Sequence, residues 1–284
     1  MFRLSEIPSV AVILLSVFVL PGCTAPKTTF YAFADLPYKE KEVEKLKDGV
    51  EAINRDDDYD FSIHLGDIKA GKDPCSLEYY TQASGILKRI NKTTFIIPGD
   101  NEWNDCQDPD SAWQLWEQHF MAFEQNWPGR TLKVRHQPSR DENFAFVHRK
   151  CLFIGLNLVG GKVHDKEERE QRLADDAEWM RRNFDEYGKK VKCAIVFGHA
   201  QPVFDKEDPN QVFFDALKTE AEAFGKPLLF MHGDGHELEL ERFLAPNLLR
   251  FELNGGKESD WLMKVVVEPR KPQPFTFQLP VPGA

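Results

Sequence analysis

Cysteine is scarce in this chain, with five in 284 residues, too few for a fold built on a disulfide framework. Basic residues are in deficit as well: Lys and Arg total 36 against 46 Asp and Glu, a formal net charge of −10. A surface this acidic does not hold nucleic acid by general electrostatics, because that binding rests on basic groups displacing phosphate counterions. Long apolar runs are missing too, with one short exception from Val10 to Leu20, interrupted only by Ser16. A membrane-spanning helix needs about 20 apolar residues, so this stretch reads as a signal-peptide core and not as an anchor helix. No repeat or low-complexity linker divides the chain, and its 42% hydrophobic and 29% charged shares are those of an ordinary globular protein. The expectation is a signal peptide over residues 1–22 and a single domain over residues 23–284.

The end of the apolar run, Leu20-Pro21-Gly22-Cys23, resembles the lipobox of bacterial lipoproteins. That resemblance implies removal of the preceding segment, lipidation of Cys23, and a protein exported and held at a membrane. Thr24 in the next place looks like an outer-membrane sorting signal. Cys75, Cys106, Cys151 and Cys193 then remain in an oxidising setting, where four cysteines allow three pairings. Cys75 and Cys106 lie in polar loops and are the expected bridge. Cys151 and Cys193 open the apolar runs CLFIGL and CAIVF, where buried free thiols are expected.

From residue 28 onward the pattern alternates. Apolar strand-like runs at 28–35, 61–67, 94–100, 191–199 and 227–234 are separated by segments with helical spacing, such as 40–54 with Val43, Leu46, Val50 and Ile53 on one face. Further helices are expected at 76–90, 111–123, about 165–184 and about 211–223, with two strands close together near 143–157. Strand–helix alternation implies a parallel or mixed sheet covered by helices. The tail (LELERF, LLRFEL, WLMKVVVEP, PFTFQL) has strands without helices between them, which implies a second, more antiparallel sheet.

Ligands in open α/β sheets gather beyond the carboxyl ends of the strands. Five of the strands end in residues that can bind a metal: Asp35, Asp67, Asp100, His199 and the pair Asp234/His236. One Asp after a strand is ordinarily a turn former or a helix cap. Five such endings in one topological place are hard to explain as caps, since like charges brought together repel unless cations or protons neutralise them.

The blocks F-A-D-L-P, L-G-D-I, P-G-D-N-E, F-G-H and H-G-D-G-H, in this order over residues 28 to 238, resemble the calcineurin-like metallophosphoesterase superfamily. That resemblance implies an α/β four-layer αββα sandwich, two mixed sheets flanked by helices, with two divalent metals at one edge. It makes Asp67 the bridging carboxylate, puts Asp35 and His236 with it on the first metal, and puts Asp100, His199 and Asp234 on the second. It also implies a metal-dependent phosphoesterase in which a metal-bound hydroxide attacks a phosphorylated small molecule. The blocks depart from the family in three places. Pro37 stands where a metal-binding His is usual, and Asp100 and Asp234 replace an Asn and a His. The shell then holds four carboxylates and two imidazoles. Its four charges match two divalent cations, and its oxygen favours Mn, Mg or Fe over Zn.

Asn101 occupies the place of the family's leaving-group His, and an amide donates a hydrogen bond but supplies no proton. His64 or His232 could take over that role, although His64 also reads as a satisfied strand histidine. Lys69 could meet a phosphate, and Trp103 could wall the pocket. With Pro37 and Asn101 as they are, the other reading is a surface lipoprotein that keeps the fold but acts by binding.

Overall fold

The computed structural model describes residues 26–129, 132–203 and 208–279. The expected signal peptide and the lipidation at Cys23 lie outside the described residues. Largely apolar runs form strands buried at every position on both faces, as parallel strands between helix layers must be. β1 (Thr28–Phe33), β2 (Phe61–His64) and β3 (Thr94–Ile96) are of this kind, and so are β6 (Cys151–Gly155), β7 (Cys193–Phe197) and β8 (Leu228–His232). The helices between them follow the expected apolar spacing. α1 (Glu40–Arg55) buries Val43, Leu46, Val50 and Ile53. α2 (Leu77–Leu87) and α3 (Pro109–Phe120) lie with it over β1–β3, while α4 (Lys166–Tyr187) and α5 (Gln211–Phe224) cover β6–β8. Side chains set two of the helix starts: Asp108 accepts from the Ser111 amide at 3.1 Å and Asp165 from the Glu168 amide at 3.0 Å.

The alternating strands do not build one sheet. β1, β2 and β3 lie in a five-stranded sheet and β6, β7 and β8 in a seven-stranded one. Nor do the tail strands build a sheet of their own. β9 (Glu239–Arg242) and β10 (Leu248–Glu252) extend the larger sheet beside β8, and β11 (Met263–Val267) and β12 (Phe275–Gln278) extend the smaller one beside β1. On the opposite edge, β4 (Arg135–Gln137) and β5 (Arg140–His148) add antiparallel strands to β6. The larger sheet thus has a parallel centre between antiparallel margins, while the smaller is antiparallel at its β12 edge and parallel from β1 through to β3.

The two sheets face each other across an aromatic layer. Phe61 stacks on Phe30 at 4.8 Å and meets Phe95, Phe146 and Phe153 edge-on, with ring centres between 5.3 and 5.6 Å apart. This gives the helix–sheet–sheet–helix order implied by the sequence blocks. Cys75 and Cys106 form a disulfide with a Cα–Cα distance of 6.0 Å, while Cys151 and Cys193, register partners on β6 and β7, are buried and free.

Candidate metal centre

The carboxyl ends of β1, β2 and β3 in one sheet and of β7 and β8 in the other meet at one edge of the sandwich. Both Gly-Asp steps have a steric cause there. Gly66 has φ +91°, and a Cβ on it would strike the Pro98–Gly99 backbone; a Cβ on Gly99 would strike Asp67. Glycine lets the two strand ends approach closely enough for Asp67 and Asp100 to share one site. Asp35, Asp67, Asp234 and His236 have φ of 58°, 65°, 73° and 60°, a left-handed backbone that non-glycine residues rarely adopt. Each such position costs on the order of 1–3 kcal/mol and persists only where its surroundings enforce it.

Five of the six expected ligands form two triads with ligand atoms within 4.8 Å of one another: Asp35, Asp67 and His199, and Asp100, His199 and Asp234. The sixth, His236, joins through Asp35, whose Oδ1 lies 3.2 Å from its Nε2. The His199 imidazole is aimed. Its Nδ1 donates to the Leu65 carbonyl at 2.7 Å, which leaves the Nε2 lone pair facing inward. That buried Nε2 has no hydrogen-bond partner, although Asp67 Oδ1 is 3.3 Å away and Asp100 Oδ1 3.7 Å. A lone pair facing two carboxylates is favourable only with a cation or a proton between them, so the donor set fits a divalent metal site.

The electrostatics agree. Burial pushes the Asp67 carboxyl well above its ordinary range; His199 opposes that shift and the Asp100 charge adds to it. Asp234 is likewise pushed up by burial. Burial would depress His199, but Asp67 and Asp100 together hold it well above the usual imidazole value. Negative charge in excess of its partners gathers here and binds protons when no cation is present.

Residues 28–237, about three-quarters of the chain, match the family model of the calcineurin-like phosphoesterases. The chain belongs to that family. A dimetal phosphatase from Danio rerio has a similar fold, at 13% identity and a TM-score of 0.57 over 89% of this chain and 99% of that one. A purple acid phosphatase, PPD1, from yellow lupin (Lupinus luteus) seeds is similar at 10% identity and a TM-score of 0.53, over 89% of this chain and 53% of that one. GAP50, the anchor in the inner membrane complex of Plasmodium, is similar at 13% identity and a TM-score of 0.51, covering 89% and 88%. Identities this low show a shared fold alone. No curated protein matches the chain in sequence.

The remaining candidates sort clearly within this family frame. Asn101 is at the centre: its backbone amide donates to Asp67 Oδ1 at 3.0 Å and its side-chain amide donates to Asp67 Oδ2. His64 is a correction to the sequence reading. Its Nε2 donates to the Leu36 carbonyl at 2.9 Å and its Nδ1 accepts from the Gly66 amide at 3.1 Å, so neither nitrogen faces a substrate. Full burial pushes it down to about 4, an imidazole kept neutral to brace the strand end. His232 is turned away as well, between the Gly233 carbonyl at 2.8 Å and the Arg250 guanidinium at 3.3 Å. Lys69 is buried and gives its ammonium to the Asn101 carbonyl at 2.6 Å, so it braces the loop and meets no phosphate. Trp103 packs with Ala112, Trp113 and Val159 and lines a neighbouring cavity of about 510 Å³.

Two residues escaped the sequence reading. Glu102 lies beneath the site, where its carboxylate accepts from the Gly99 amide at 2.6 Å and from the Asp67 amide at 3.1 Å. Tyr38 places its hydroxyl among the ligands, 2.7 Å from Asp67 Oδ2 and 3.3 Å from both Asp35 Oδ1 and His236 Nε2. Burial, reinforced by the Asp67 and Asp35 charges, pushes the phenol far above its ordinary value. Position i+3 from Asp35 carried no signal, because the family block has its ligand at i+2.

Proposed function

We propose that the protein hydrolyses phosphoric esters at a two-cation site, with Asp67 shared between Asp35 and His236 on one side and Asp100, His199 and Asp234 on the other. The observation that carries this reading is the pair of carboxylate–imidazole triads meeting at an unpartnered His199 Nε2. When bound, two divalent cations polarise the phosphoryl group, acidify water and neutralise developing charge. The side chains do the rest. Asn101 fixes both oxygens of Asp67, and Glu102 holds the Gly99 and Asp67 amides, so the bridging carboxylate is set before substrate arrives.

His64 and His232 are both engaged elsewhere, so the leaving group departs without help from either. This favours esters of acidic alcohols, phosphodiesters with such groups, or phosphoanhydrides. The oxygen-rich donor set favours Mn²⁺, Mg²⁺ or Fe over Zn²⁺. Export and anchoring through Cys23 complete the reading, supported by the Cys75–Cys106 disulfide, which belongs in an oxidising compartment.

The test is hydrolysis of chromogenic phosphomonoesters and diesters by purified protein with Mn²⁺, Mg²⁺ or Zn²⁺, beside Asp67→Asn. The expected loss in the variant exceeds roughly 100-fold, the scale for removing one preorganised charge-stabilising group. A rate unchanged by the substitution overturns the assignment. The engaged His64 and His232 also favour a second reading, a lipoprotein that binds a metal and a partner without turnover; wild-type protein that takes up metal and cleaves no ester supports it.

A further inference from the structure

We propose that Tyr38 is the fourth protein ligand of the first cation, taking the place that Pro37 leaves without a donor. This rests on the two-cation reading and adds a residue to it. Donors in an octahedral shell at about 2.1 Å from an ion stand about 3.0 Å from their neighbours, the bond length times the square root of two. Around the Tyr38 hydroxyl the distances are 2.7 Å to Asp67, 3.3 Å to Asp35 and 3.3 Å to His236, and Asp35 and His236 are themselves 3.2 Å apart. The three separations around the Tyr38 oxygen and the one between Asp35 and His236 are those of neighbouring donors on a single ion. A tyrosine with a purely packing role needs one partner for its hydroxyl; this one accepts from the Asn101 side-chain amide at 3.3 Å and has three proposed ligands around it as well.

The oxygen is placed there from two directions. The Tyr38 amide donates to Glu42 Oε2 at 2.7 Å, tying the turn to the first turn of α1, and the Tyr38 ring lies against the His236 ring with centres 5.6 Å apart. On coordination the O–H bond breaks, an oxygen–metal bond forms, and the proton leaves to solvent. The family's neutral imidazole is then replaced by an anionic oxygen, which moves the donor set further toward hard cations.

Ferric ion is a direct probe, because phenolate bound to iron(III) absorbs visible light and carboxylates and imidazoles do not give that band. Wild-type protein, stripped with chelator and reloaded with ferric ion, is expected to show the band. Tyr38→Phe is expected to lose it at equal iron content, with its melting temperature in chelator checked against wild type. Tyr38→His is expected to keep two Mn²⁺ per chain by elemental analysis while lacking the band with iron, and it decides the matter if the phenylalanine variant does not fold. Wild-type protein that holds two ions per chain with no band overturns Tyr38 and leaves the two-cation site standing. A band that survives in Tyr38→Phe does the same. Wild-type protein that holds no ion overturns both readings.

Discussion

Between the two sheets, Phe30, Phe61, Phe95, Phe146 and Phe153 meet ring to ring; at the carboxyl edge of those sheets four aspartates converge on one imidazole. The first region gains stability simply by leaving water. The second loses it, because left-handed backbone opposes folding and buried like charges oppose it too until a cation arrives. The interior therefore supplies the stability that lets the edge stay in a conformation it would not choose by itself.

Removing Phe61 strikes the interior directly. Phe61→Ala is expected to cost about 3–5 kcal/mol in denaturant unfolding, a large part of a typical domain's total, while the Mn²⁺ affinity of the molecules that remain folded stays near wild type. A matching loss of affinity would show that edge and interior are not separable.

A pH series separates buried charge that a cation can neutralise from buried charge that it cannot. Asp176, on the buried face of α4, is pushed from 3.8 up to about 7 by burial, against the pull of Arg172. A carboxyl raised on folding contributes stability that is complete below pH 3.8 and is lost as the pH climbs through about 7. Thermal or urea unfolding should therefore show roughly 2–3 kcal/mol less stability at pH 8 than at pH 5, and Asp176→Asn should remove that drop with or without Mn²⁺. Asp67 and Asp234, raised in the same direction, should add a second drop in chelator that Mn²⁺ abolishes. A pH dependence untouched by both the substitution and the ion would contradict these assignments.

The smallest expected effect is in the bracing beneath the edge. Glu102→Gln keeps the shape but weakens the acceptor that holds the Gly99 and Asp67 amides. A metal affinity lower by about 10–100-fold, read by calorimetry, is expected with little change in the melting temperature of chelated protein.

The order of elements and the acidic strand ends were legible in the sequence because short apolar runs, period-3.6 spacing and Gly-Asp steps are local features. Which strands share a sheet was not, since β1 pairs with β11 across most of the chain and no local pattern encodes that partner. His64 illustrates the same limit. A strand histidine two residues before a Gly-Asp reads equally as donor or brace, and only the Leu36 carbonyl and Gly66 amide decide it. Tyr38 was hidden by one position. Glu102 stood inside the block that was read, but its work is on backbone amides that the sequence does not display.

The left-handed backbone at Asp35, Asp67, Asp234 and His236 bears on how such a chain changes over generations. Glycine at any of the four would relax the backbone and remove a donor in one step, so a lineage with no use for the ion would gain stability by drifting that way. Mutation thus presses steadily toward an empty and sturdier edge. An aspartate or histidine at each of these four positions is the costlier choice made four times over.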